Sequence, residues 1–166
     1  FKEIKLDVEM LGLHVEKIIL THSHWDHIAD LKLLQTHFKC PVLVHKEDMD
    51  NVVTPGADGL QLYFSIDPVT PDGLEDIKAK IIHTPGHSHG SICLYFPDEK
   101  VLVSGDTLFK GSMGRVDLPT SDPELMWLSL EKLSLLPADI KVYPGHGPST
   151  TIGNESWMKN AKKLFS

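Results

Sequence analysis

Residues 21–27 read Thr-His-Ser-His-Trp-Asp-His, which places four groups able to bind a metal, His22, His24, Asp26 and His27, within six residues. Three more stand beside glycines farther along: His87 in TPGHSHGS, Asp106 in SGDT and His146 in YPGHG. None of the seven is a cysteine. Imidazole and carboxylate donors without thiolate suit zinc, iron, manganese or nickel, not a structural cysteine-zinc knot. His22 and His24 are two residues apart, so an extended backbone aims both the same way, whereas a helix would separate them by about 200°. Asp26 and His27 follow at the start of a helix and can aim at a neighbouring point. Asp106 can bridge two cations through its carboxylate. Two cations about 3.5–4 Å apart activate a water held between them, so no serine or cysteine nucleophile is needed. The set predicts two divalent metal ions, zinc first with iron or manganese as substitutes, and hydrolysis by a metal-bridging hydroxide. Asp26 and Asp106 are expected to be catalytic as well as ligating. No G-x-S-x-G elbow or P-loop offers a competing mechanism.

The elements that must position these groups are short. Lys17–Thr21 is an apolar, β-branched run that reads as a buried strand entering the histidine motif. Ile28, Leu31, Leu34 and Phe38 repeat at a helical period over Asp26–Phe38. Pro41–His45 reads as a strand, Lys46–Asn51 as a short helix and Val53–Gly73 as a long, Pro- and Gly-rich loop. Strands are expected at Ile77–His83, Ser91–Phe96 and Lys100–Ser104, the last two joined by a Pro97-Asp98 turn. Ser121–Glu124 opens a helix that runs to about Leu136. Ile140–Tyr143 is a further strand. Glu155–Phe165 closes as a helix with a Glu155–Lys159 pair. The whole chain, 1–166, reads as a single α/β (α+β) domain. Each candidate ligand lies just past a strand's C-terminal end.

The other histidines carry less. His14, His37, His45 and His83 read as structural or solvated, and His89 as at most a supporting group beside His87. The net charge of −7, with no basic run, argues against nucleic acid or an anionic membrane as partner. No apolar stretch suits a membrane span or a signal peptide, so the expected location is cytoplasmic. Cys40 and Cys93 lie in apolar, strand-like surroundings and read as reduced, buried thiols.

THSHWDH, HTPGHSHGS, SGDTLF and YPGHGP, in this order, resemble the metallo-β-lactamase-fold hydrolases, closest to the single-domain glyoxalase II-like (hydroxyacylglutathione hydrolase-like) branch. The resemblance spans roughly residues 15–155. It implies an αββα four-layer sandwich with the metal site along one edge of the sheets. It further implies His22, His24 and His87 on one metal, Asp26, His27 and His146 on the other, and Asp106 between them. The implied substrate is a small-molecule thioester or ester, with S-acylglutathione thioesters foremost. The alternative it leaves open is a mono-iron, persulfide dioxygenase-like oxidoreductase; nucleic-acid-processing and lactonase members rank lower.

Two departures qualify the resemblance. After Asp106 the chain reads GSMGRVDLP, where Arg115 could bind an acidic substrate group or instead pair with Asp117 to hold the loop. Only 21 residues precede His22, fewer than the fold usually places there. The first N-terminal strands are therefore expected to be missing, with one sheet edge left for a longer native chain or a homo-oligomer to cover.

Overall fold

The structure is a computed structural model that describes residues 1–50, the backbone of 67–69, and 77–165. Helix α1 (Lys2–Met10) precedes β1 (Ile18–Ile19), and two short helices follow, α2 (Trp25–Ile28) and α3 (Leu31–Phe38). Next come β2 (Val42–His45), a 3-10 turn at Lys46–Asp48 and β3 (Asp67–Val69). Strands β4 (Lys80–His83), β5 (Ile92–Phe96) and β6 (Val101–Gly105) lead to α4 (Pro123–Leu133). Then β7 (Lys141–Pro144), β8 (Thr150–Thr151) and 3-10 turns run into α5 (Ala161–Phe165). Sheet one has the order β1-β2-β3, all parallel, and sheet two the order β4-β5-β6-β7-β8.

The period of two along the strands builds four layers. Leu20, Val42 and Val44 face Ile28 and Leu31 of the short helices. The alternate residues Ile19 and Leu43 face Ile92, Leu94 and Val103 across the gap between the sheets. On the far side, Cys93, Leu102 and Val142 meet Met126, Leu130 and Leu133 of α4. The αββα sandwich follows from that alternation. Both cysteines are free and buried, as expected.

The same topology sets the rim on which the ligands meet. β4 and β6 each run antiparallel to β5, and β7 runs parallel to β6. The C-terminal ends of β4, β6 and β7 therefore point one way. The Ile92 amide donates to the Thr21 carbonyl at 2.8 Å, bringing the end of β1 to that rim as well.

Some boundaries differ from the sequence expectation. The Asp26–Phe38 helix breaks at Ala29–Asp30, yet Ile28 and Leu31 remain buried on one side. Asp122, not Ser121, caps α4, its Oδ1 accepting from the Glu124 and Leu125 amides at 2.9 and 3.1 Å with Pro123 in the first turn. The C-terminal helix is replaced by 3-10 turns and the short α5, because Glu155 turns inward and does not pair with Lys159. It accepts from the Gly111 amide at 2.7 Å, the Thr150 hydroxyl at 2.5 Å and the Trp157 indole at 2.6 Å. The long loop read over 53–73 lies outside the described residues except for β3, which pairs with β2 as a strand. Among the described residues β1 pairs only with β2. α1 was not foreseen and buries none of its side chains.

Candidate metal centre

All seven candidate ligands converge. His22, His24 and His87 offer ligand atoms within 4.8 Å of one another; so do Asp26, His27 and His146, and so do His22, His27 and Asp106. His24 Nδ1 and His87 Nε2 are 2.8 Å apart. His146 Nε2 lies 3.1 Å from Asp26 Oδ2 and 3.2 Å from His27 Nε2. Asp106 stands between the groups, with Oδ1 3.4 Å from His27 Nε2 and Oδ2 3.4 Å from His87 Nε2 and 3.5 Å from His146 Nε2.

Outer contacts orient these rings. A backbone carbonyl can only accept, so His87 Nδ1–H donates to the Arg115 carbonyl at 2.8 Å and leaves the lone pair on Nε2, facing His24. His24 Nε2 bonds Thr120 Oγ1 at 2.9 Å, which turns Nδ1 inward. Metal-binding imidazoles are commonly held this way. Ser121 Oγ donates to the His87 carbonyl at 2.7 Å, and the Asp122 amide to the Gly86 carbonyl at 2.8 Å. The start of α4 thereby clamps the His87 turn.

Asp48 ties the first motif to the second. This buried carboxylate accepts from the Ser23 amide and hydroxyl at 2.8 and 2.9 Å. It also accepts from the Ser88 hydroxyl at 2.8 Å and the Gly90 amide at 2.6 Å. Sequence reasoning passed over Asp48, Thr120 and Ser121. Only the serines inside the two histidine motifs hinted that a shared acceptor was needed.

The donor set fits divalent cations. His22 Nε2 and Asp106 Oδ1 are buried without any hydrogen-bond partner, an unfavourable state for polar atoms that a cation relieves. Neighbouring glycines leave the space. A Cβ on Gly145 would lie 2.2 Å from Asp106 Oδ1, and one on Gly114 would lie 2.8 Å from His87 Nδ1.

Electrostatics differ across the centre. Burial, reinforced by the surrounding histidines, holds His22 well below the ordinary imidazole value. Burial would lower His27 too, but the adjacent Asp106 carboxylate, with Asp26, outweighs it and raises that ring. Burial acts to raise Asp106, yet the imidazoles around it, His27 first, hold its carboxyl below the usual range. The centre opens on a cavity of about 490 Å³ whose apolar wall includes Trp25, Phe109, Met113 and Leu118. Arg115 also reaches this cavity, but its guanidinium pairs bidentately with Asp117 at 2.9 and 2.9 Å. His89 contributes only its carbonyl, to His83.

Residues 3–146 match the metallo-beta-lactamase superfamily. A probable metallo-hydrolase of Streptococcus pyogenes serotype M6 is 35% identical, covering 89% of this chain and 69% of that protein. The hydroxyacylglutathione hydrolase GloC of Haemophilus influenzae is 33% identical, covering 89% of this chain and 76% of that protein. A crystal structure of a protein in a di-iron-bound form superposes with a TM-score of 0.83 at 33% identity, over 93% of this chain and 81% of that one. Fold and site together define a metal-dependent hydrolase. The chain belongs to the metallo-beta-lactamase superfamily, in company with hydroxyacylglutathione hydrolases. Among the described residues no helix is long and apolar enough to cross a membrane.

Proposed function

We propose that this chain hydrolyses small thioesters of the S-acylglutathione type at a centre for two divalent cations, with zinc as the resident metal and iron as its nearest substitute. The reading rests on Asp106, whose carboxylate lies between the two trios, 3.4 Å from His87 of the first and 3.4 and 3.5 Å from His27 and His146 of the second. In that arrangement His22, His24 and His87 would hold one cation, and Asp26, His27 and His146 the other, with Asp106 shared. Bound there, the cations supply Lewis-acid polarisation and a water of lowered pKa.

The remaining work falls to the chain itself. The Arg115 carbonyl keeps His87 in one tautomer, and Thr120 holds the His24 ring in its orientation. Trp25, Phe109, Met113 and Leu118 give the acyl group an apolar seat beside the polar centre and exclude water from it. Asp26 is part of the cavity wall, where its carboxylate can take the proton released as water adds to the carbonyl. Arg115 reaches an acidic substrate group only by giving up Asp117, so it tunes affinity for the thiol carrier and takes no part in the chemistry.

Metal per chain and turnover of S-lactoylglutathione, measured on protein purified without chelator, test the proposal. Two equivalents of metal and hydrolysis that EDTA abolishes are expected. A single iron with oxygen uptake on persulfides, and no thioester turnover, would overturn it in favour of the oxidoreductase reading.

A further inference from the structure

We propose that Trp25 and Phe109 select the acyl group, and that the preferred substrates carry an aromatic ring there, as arylacyl thioesters do. This deepens the hydrolase reading and rests on it. Trp25 stands between two candidate ligands, His24 and Asp26, at the first position of α2. Metal ligation does not require an indole at that position. Trp25 is 57% exposed and lines the cavity, while Ile28, one turn on, is 1% exposed. A tryptophan left this open beside a polar centre keeps a large apolar surface for a ligand to cover. Phe109, also on the cavity wall, meets the His146 ring edge-on, with 6.0 Å between centroids and 89° between planes. Both aromatic residues therefore adjoin the open trio of Asp26, His27 and His146.

The buried trio borders a different part of the wall. Arg115 is anchored there, its carbonyl accepting from His87 Nδ1 at 2.8 Å. Among the described residues it is the only charged side chain lining the cavity besides the candidate ligands. The cavity thus has an aromatic flank beside one trio and a cationic flank beside the other. A thioester carbonyl sends its acyl chain and its thiol carrier in different directions. With that carbonyl beside Asp106, an acidic carrier belongs on the Arg115 flank, which leaves the acyl group to the indole and phenyl rings.

Size and energetics favour a ring over a short chain. The cavity of about 490 Å³ is in the range of about 300–1,000 Å³ that holds drug-sized ligands, more than a short acyl chain fills. A ring placed against two aromatic side chains gains area burial and ring packing together. An aliphatic chain gains only the burial, and a hydroxylated one less of it. Hydrolysis breaks the C–S bond and forms a C–O bond from water, releasing an arylacyl carboxylate and the free thiol. The carboxylate product keeps the ring and so reports on the same seat.

The test compares kcat/KM for the S-phenylacetyl and S-acetyl thioesters of glutathione in wild type, Trp25→Ala and Phe109→Ala, with metal content measured on each. Wild type should favour the phenylacetyl thioester by at least about tenfold, the low end for burying one ring. Trp25→Ala at full metal content should lower that ratio at least about fivefold, and Phe109→Ala should move it the same way. If Trp25→Ala sheds metal, Phe109→Ala carries the comparison. No preference in wild type, or a ratio unmoved by the variants, would overturn the assignment. Binding is read separately, from quenching of Trp25 emission by phenylacetate and by acetate, with Trp25→Phe as the blank. Phenylacetate should bind at least about tenfold more tightly than acetate, and equal affinities would overturn the aromatic seat. Absence of turnover on both thioesters would sink the hydrolase reading instead, and the quenching would still decide the seat.

Discussion

The two candidate ligand trios differ in burial more than in chemistry. His22, His24 and His87 are 1, 7 and 5% exposed, whereas the Asp26 and His146 side chains are 34 and 54% exposed. The buried trio is braced by Thr120, the Arg115 carbonyl and, through Ser23 and Ser88, by Asp48. The open trio is made of residues that mainly touch one another and Asp106. One half of the centre is therefore built into the core, and the other is assembled at its mouth. Rigidity and proton affinity should separate along the same line.

Asp106 joins the halves, so its loss should have the largest effect. Asp106→Asn is expected to lower hydrolysis by more than about 100-fold, the upper end for outer partners alone, and to remove at least one metal equivalent. Near-normal turnover with full metal content would break the shared-ligand assignment.

Asp48→Ala strikes only the buried half. It strands the Ser23, Ser88 and Gly90 donors, so a stability loss of about 3 kcal/mol or more is expected. Metal affinity at the histidine trio should drop with it, by about 10–100-fold. Urea unfolding and chelator competition check both. In contrast, His146→Ala should cost the open half its cation while moving the urea midpoint little, because that side chain is exposed. Equal destabilisation by these two variants would erase the contrast between the halves.

Metal-free protein should show opposite pH responses in the two halves. His22 is depressed when folded, so as pH falls below about 6.5 the unfolded chain takes up its proton first and stability is lost. His27 is raised, so its contribution is full below about 6.5 and fades as pH climbs through its folded value. Urea midpoints of EDTA-treated His22→Asn and His27→Asn, taken on both sides of neutrality, should each lose one limb of the parent profile. Identical profiles would show that burial does not distinguish the halves.

The smallest effect is expected at the cavity rim. Asp117→Asn releases Arg115 from an exposed pair and should lower KM for an acidic thioester by no more than about fivefold, leaving a neutral thioester unchanged. A matching change for the neutral substrate would mark the pair as a loop brace only.

The convergence of the seven candidate ligands was legible because each lies in a compact motif with its own local logic. His-x-His in extended backbone aims two rings together, and glycines 114 and 145 leave space that any Cβ would occupy. The braces were not legible. Asp48 lies 25 residues from Ser23 and 40 from Ser88, and Thr120 lies 96 residues from His24. No local pattern distinguishes such a carboxylate or hydroxyl from a surface one. Glu155 misled for the same reason: its i,i+4 spacing to Lys159 suggested a helical pair, while the fold offered it three other donors. His45 and His83 looked like isolated histidines until two different sheets stacked them.

By itself the sequence determined the donor types, their order and the alternation that makes four layers, since these depend on side-chain chemistry and a backbone period of two. Tertiary structure alone decided which trio is buried, which carboxylate braces it and which histidines meet across the sheets. Burial and long-range pairing arise only when distant strands bring their ends to one rim, and no short stretch of sequence carries that information.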